Sequence, residues 1–433
     1  MAGIIFTHKT GRAREQERLR LSRRQLLIGS AALTGGLALG GPVSAQTPMA
    51  TPVGARASGP LGDLLALIPA AQATKAAGAG VLFFYADLET QLAHLGIPQD
   101  GADPSTEMLE ALRPLATASQ AFSYALAPEF AETFGFNTLN THRTLYAGAP
   151  PDDLTFFKGG FDPETVGAAL EASGFERKSA GSGIDFWTVG EEGELDLSSP
   201  VSRFGVGAMN NAVILNDDVL VFGRFATAIK AIVRQAAEPG PSLADQPGVA
   251  PVIESFSSDM VSAIAVTPSF LSTSGMMTMP PEQQKQFQEQ FTKSDDAVGR
   301  MPRIDLAMFG VEAGASVALS SSATPVATPG VPVSSPVATP VVTAAGASPL
   351  LEVRLHTRSA KDAAQVAKVV AWRWEHFSSM LAAGEPYAEL LTLVSADVSP
   401  VNEQVAAIDF DQGERAGLWL RLVTGRDLLI FAG

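Results

Sequence analysis

The densest grouping of reactive side chains in this sequence is Trp372-Arg373-Trp374-Glu375-His376-Phe377, within a segment of helical periodicity from Ala360 to Ala382. At about 100° per residue, Val366, Val370, Phe377 and Leu381 share one face. Arg373 falls within that face, and Trp372 and His376 flank it. A guanidinium there must find a partner or reach out to water. The same placement suits a clamp for a carboxylate or other anion, backed by aromatic walls. Arg373, His376 and Trp372 are therefore the candidate ligand-binding residues, with a structural arginine over the core edge as the competing reading.

A second grouping, Asp409-Phe410-Asp411-Gln412-Gly413-Glu414, sets oxygen donors at alternate positions beside a glycine. Calcium takes six to eight hard oxygens, so Asp409, Asp411 and Glu414 are the candidate metal ligands. A plain hairpin turn after a strand at Val405–Phe410 explains the same residues. Glu191, Glu192, Glu194 and Asp196 read as a solvated acidic loop. Met276, Met277 and Met279 read as a loop that tucks methionine into the core.

No catalytic residue is assigned. The five histidines, at 8, 94, 142, 356 and 376, show no metal-ligand spacing. The sequence contains no H-E-x-x-H, G-x-S-x-G, S-x-x-K or G-x-x-x-x-G-K-[ST]. With no cysteine, disulfides, thiolate metal sites and thiol nucleophiles are excluded. No cofactor is implied.

These side chains sit in a chain of 433 residues, 46% hydrophobic, which is enough to bury substantial cores. Residues 1–45 carry seven bases against two acids, so without them the net charge goes from −15 to −20. Such a chain repels phosphate backbones and anionic surfaces, and nucleic-acid binding is not expected.

Ser22-Arg23-Arg24-Gln25-Leu26-Leu27 follows the basic stretch and precedes a glycine-diluted apolar run, Leu26–Leu39, of 14 residues. Val43-Ser44-Ala45 offers a small-residue cleavage site. The segment resembles a twin-arginine export signal. That resemblance implies an extracytoplasmic protein, secreted or associated with the cell envelope. The run is shorter than the ~20 residues of a membrane span, and no span is expected in the mature chain.

Residues 46–79 read as a tether and lead-in, 80–238 as a first α+β module and 239–433 as a second. A disordered, low-complexity run of Pro, Thr, Ala, Ser, Val and Gly at 320–349 interrupts the second. Both halves show a similar order of strand-like and helix-like segments. Asp162-Pro163 opens a helix that Gly174 closes, and Asn216-Asp217-Asp218 turns a hairpin between Ala212–Leu215 and Val219–Gly223. Leu351–Thr357 followed by a helix from Ser359 matches Leu154–Ala172 in order. The expected fold is α+β: two similar modules of mainly antiparallel sheet, with helices packed on one face.

Gly160-Phe161-Asp162, Gly174-Phe175, Asp185-Phe186-Trp187 and the run Val213–Phe222 are similar to those of exported bacterial proteins built on paired α+β modules. That group has no assigned activity, so the resemblance implies architecture and no site residues. The sequence therefore points to a non-catalytic module that binds an unidentified ligand or envelope component. An exported enzyme, or a cofactor or metal carrier with a site assembled from distant residues, is the alternative.

Overall fold

Val81–Asp87 (β1) is buried along its whole length, as an uninterrupted apolar run requires when both faces of a strand are covered. It lies at the middle of a twelve-stranded antiparallel sheet. The computed structural model describes residues 56–99, 108, 112, 115, 124, 127–181, 183–192, 201–204, 207–271, 281–313, 319–320, 341–342, 349–382, 384–415 and 417–432. All belong to one unit, Pro48–Gly433. The proposed signal, the methionine segment, Glu194, Asp196 and most of 320–349 lie outside the described residues.

The other strands are Arg143–Ala147 (β2), Leu154–Lys158 (β3), Glu176–Gly181 (β4), Ile184–Thr188 (β5), Asn211–Leu215 (β6), Val219–Gly223 (β7), Met260–Val266 (β8) and Leu306–Glu312 (β9). Leu319–Ser320 (β10) and Val341–Val342 (β11) form a separate short ladder, and Leu350–His356 (β12), Thr392–Val398 (β13) and Val405–Asp411 (β14) complete the set. The helices are Gly59–Ala66 (α1), Ala70–Ala79 (α2), Leu88–His94 (α3), Pro128–Phe134 (α4), Pro163–Ala172 (α5) and Ala226–Ala237 (α6). They continue with Val249–Glu254 (α7), Pro268–Leu271 (α8), Pro281–Val298 (α9), Ala360–His376 (α10), Tyr387–Leu390 (α11) and Leu418–Thr424 (α12).

Local chemistry explains several boundaries. The Asp162 carboxylate accepts from Thr165 N–H at 3.0 Å, and Pro163 stands at the first turn of α5. Ser359 caps α10 by accepting from Asp362 N–H at 3.1 Å. Asn216 and Asp217 both adopt positive φ, 51° and 60°, as tight hairpin turns matched to strand twist require. The helix expected over 360–382 stops at His376. Phe377 is extended and the following residues form a loop, so Leu381 leaves the helical face and lies exposed.

Outward from the β1–β8 pair, one arm runs β2, β3, β7, β6, β5, β4 and the other runs β9, β12, β14, β13. In both arms the later hairpin docks by its second strand, β7 on β3 and β14 on β12. β9 pairs directly with β12, Glu312 opposite Leu350. Residues 313–349 therefore connect neighbouring strands of one sheet.

Helices cover both faces, not the single face expected. On one face Leu61 and Leu64 of α1, Ala73 of α2, Ile229 and Ile232 of α6 and Val249 of α7 join one core with Phe83, Tyr85, Phe156, Val221 and Ala263. On the other, α4 brings Phe134 to 5.1 Å from Phe222, and α10 packs against β13 and β14. The periodicity of a helix shows that one side is buried but not which side of the sheet receives it. Among the described residues no helix is long and apolar enough to cross a membrane.

Candidate functional site

One row of side chains crosses the sheet on the face that α1, α2, α6 and α7 cover. The registers align Lys178, Phe186, Val213, Val221, Phe156, Leu145, Tyr85, Ala263, Gly310, Glu352, Asp409 and Ser395. From Phe186 to Ala263 the row is apolar and buried under helices. Beyond Gly310 it becomes charged. The adjacent row ends Met308, Arg354, Ala407, Asp397.

The change of chemistry follows from local sequence. Leu350–His356 alternates apolar residues with Glu352, Arg354 and His356, which gives the strand one dry and one polar face. The polar face of β14 carries Asp409 and Asp411, and that of β13 carries Ser395 and Asp397. In the first arm, α6 covers the corresponding face of β3, β7 and β6. In the second arm, α12 follows β14 but packs on the opposite face, with Trp419 beside Phe309 and Phe410. Ala407, Asp409, Asp411 and Ser395 are left half-buried, and Thr392 and Asp397 exposed.

Arg354 organises this face. Its Nε donates to Ser255 O at 2.8 Å, Nη1 to Asp409 Oδ1 at 2.6 Å and Nη2 to Glu352 Oε1 at 2.7 Å. Its guanidinium lies 5.1 Å from the Phe256 ring centre. A Cβ at Gly310 would sit 2.5 Å from Phe256, so the glycine admits the ring that separates the apolar core from the charged face. Glu352 Oε2 accepts from Ser257 N–H at 3.2 Å and Oγ at 3.3 Å. Asp409 Oδ2 accepts from Ser395 Oγ at 2.7 Å.

The carboxylates outnumber the one buried cation. Burial raises the Glu352 carboxyl above its ordinary range, Arg354 opposes, and Asp409 and Glu312 add to the rise. Glu312 is raised by burial and then by Asp259 and Asp409. At neutral pH the face is a negatively charged, partly open surface.

His356 ends the polar face of β12. Its Nδ1 is buried beside Gly248 and has no partner among the described residues. Burial lowers its pKa from 6.5, with Asp305 opposing. The folded chain then resists a proton that the unfolded chain accepts, so stability is lost as pH falls below 6.5. Thermal unfolding of wild type and His356→Gln from pH 7.5 to 5 should show the wild-type midpoint falling more steeply. Parallel curves would contradict the assignment.

Of the residues expected from sequence to bind a ligand, Arg373 is buried and committed. Its Nε donates to Ser294 Oγ at 3.0 Å and its Nη1 to Ala432 O, while its guanidinium lies 4.7 Å from the Phe291 ring centre. Burial pushes its pKa down to about 10. Trp372 and His376 stack on the outside at 4.1 Å between ring centres, with His376 Nδ1 2.8 Å from Trp372 O. Arg373 thus ties α9 and the C-terminal segment to α10, and the three residues do not assemble a clamp.

The expected metal ligands are likewise occupied. Asp409 pairs with Arg354, and Asp411 Oδ1 accepts from Gly413 N–H at 2.8 Å. The Glu414 side chain lies outside the described residues. Gly413–Arg415 is a 3-10 turn leading into α12, not a hairpin. Among the described residues no three acidic or histidine side chains gather to hold a metal ion. Glu192 Oε1 accepts from Thr227 N–H at 3.2 Å, at the start of α6.

Sequence reasoning passed over Arg354, Glu352 and a second buried carboxylate, Asp427. The alternation in β12 was the available signal for the first two. Asp427, fully buried, accepts from Ser379 Oγ at 2.5 Å, Leu381 N–H at 2.8 Å and Tyr387 Oη at 2.6 Å.

No protein-family model matches the chain, and no curated protein does. Among solved structures, crystal forms III and I of TP0453 are similar over 83% of this chain and 97% and 96% of theirs, at 9% identity and TM-scores of 0.34 and 0.33. A likeness at this level carries no argument about function.

Proposed function

We propose that this chain is an exported, non-catalytic binding module, built from two similar α+β arms, that meets a positively charged partner through the open face of β12, β14 and β13. One observation carries the reading: the sheet face that is apolar and helix-covered in the first arm is charged and uncovered in the second. Natural folds seldom leave a sheet face without a helix unless its side chains favour water or a partner. Here Glu312, Asp397, Asp409 and Asp411 supply excess negative charge, which attracts and orients a cationic surface.

The test uses octalysine as the partner probe and isothermal titration at low salt. Neutralising the face (E312Q/D397N/D411N) should weaken binding at least tenfold. Neutralising three exposed acids on helices of the opposite face (E129Q/E132Q/E164Q) should leave it within twofold. Equal losses would reduce the effect to net charge, and no binding by wild type would remove the reading.

The export part rests on Arg23 and Arg24 alone. Changing both to Lys should retain the unprocessed chain in the cytoplasm, read by fractionation and immunoblotting. Undiminished export of the variant would assign another route.

A further inference from the structure

The connection from β14 to α12 holds a different feature, on the opposite face of the sheet. A cavity of about 20 Å3 is walled by Phe309, Leu351, Phe410, Trp419 and Phe431, with Asp427 at its edge. Trp419 is 1% exposed, yet its indole N–H has no partner among the described residues. Gln412, on the same connection, accepts from Gly417 N–H through Oε1 at 2.8 Å, and its Nε2 donor has no partner there either. An indole nitrogen donates and cannot accept. Asp427, the carboxylate at the wall, is already held by Ser379, Leu381 and Tyr387.

We propose that this cavity is a binding site for a small apolar molecule bearing one acceptor oxygen, such as a ketone or ether, with that oxygen received by the Trp419 indole N–H. The aromatic and aliphatic walls favour an apolar body, and the buried donor selects for an acceptor within it. The volume admits one oxygen-sized group, so the body takes its place as the loop from Ser378 to Pro386 yields. That loop is tied to the cavity wall by the two hydrogen bonds from Ser379 and Leu381 to Asp427. Leu381 is 48% exposed and lies against Gly425.

The experiment follows the tryptophan indole resonances of the 15N-labelled mature chain, with Trp419→Phe to assign the fourth among Trp187, Trp372, Trp374 and Trp419. Cyclohexanone is the probe and methylcyclohexane its matched control. The Trp419 indole proton should move downfield and saturate with cyclohexanone, stay in place with methylcyclohexane, and move alone among the four. Ser379→Ala, which removes one tie on the loop, should tighten the apparent affinity at least threefold. The proposal is overturned by no saturable shift at Trp419, by an equal response to the hydrocarbon, by a bound water that the probe does not displace, or by unchanged affinity in S379A.

Discussion

Replacing Arg354 with Met should destabilise the fold by about 3–5 kcal/mol, the cost of removing one partner from a buried ion pair. The side chains of Arg354 and Glu352 are 5% and 6% exposed, and Asp409 is 24% exposed. Methionine fills the space over Phe256 but leaves Glu352 and Asp409 facing each other without a cation, and Ser255 O without its donor. Lys at 354 keeps the charge but offers a point donor in place of a planar fork, so R354K should fall between the two. The triple variant R354M/E352Q/D409N should recover more than half of the loss, because the cost lies in the stranded charges. Equilibrium urea denaturation of the four proteins measures this. An R354M midpoint within about 1 kcal/mol of wild type would mean that the carboxylates are already hydrated, and would end this account of the face.

The pH dependence of R354M carries a sign that packing loss alone does not produce. Glu352 is already raised above its ordinary 4.5 by burial, with Arg354 pulling the other way. Without Arg354 the folded-state pKa rises further, so the native state binds a proton that the unfolded state has released. Stability contributed that way is present below 4.5 and lost as pH climbs through the folded value. The gap between R354M and wild type should therefore narrow on acidification from pH 7 toward 5. A purely steric defect would leave it constant.

How much of this was legible in the sequence depends on the range of the interaction. Asp162-Pro163, Ser359 and Asn216-Asp217 act within a few residues, and their helices and hairpin appear where local chemistry places them. The α+β class followed from the same signals. Asp409 shows where local reading stops. Beside Asp411 and a glycine it looks like a cation ligand, because its Arg354 partner stands 55 positions earlier on the neighbouring strand. Arg373 was rightly placed on the apolar face of its helix, but its acceptors, Ser294 and Ala432, come from segments that only the tertiary fold brings near. The open face is half legible. The alternation of Glu352, Arg354 and His356 marks a polar side, whereas its lack of cover depends on α12 crossing to the other face.

Asp427 offers the second large effect. Asp427→Ala should cost about 3 kcal/mol or more, since hydrogen bonds to a charged group contribute roughly 1.5–3 kcal/mol each and three buried donors lose their acceptor together. No ion pair reaches this carboxylate among the described residues, so its charge is supported by Ser379, Leu381 and Tyr387 alone. Asp427→Asn should cost only about 1 kcal/mol. The amide oxygen can take the Ser379 and Leu381 donors, while its NH2 faces Tyr387, whose hydroxyl can accept it and donate instead to Asp427 O at 3.1 Å. Burial, and then Asp427, raises the Tyr387 phenol well above 10. The unfolded chain releases that proton first, so wild-type stability should be lost as pH rises past 10, and less steeply in D427A, where only burial remains. Amide exchange separates a local latch from a global support. If Asp427 holds the loop, Leu381 N–H should lose protection in D427A by more than the loss of global stability accounts for, whereas equal losses would make Asp427 a general core residue and free the loop of any special tie.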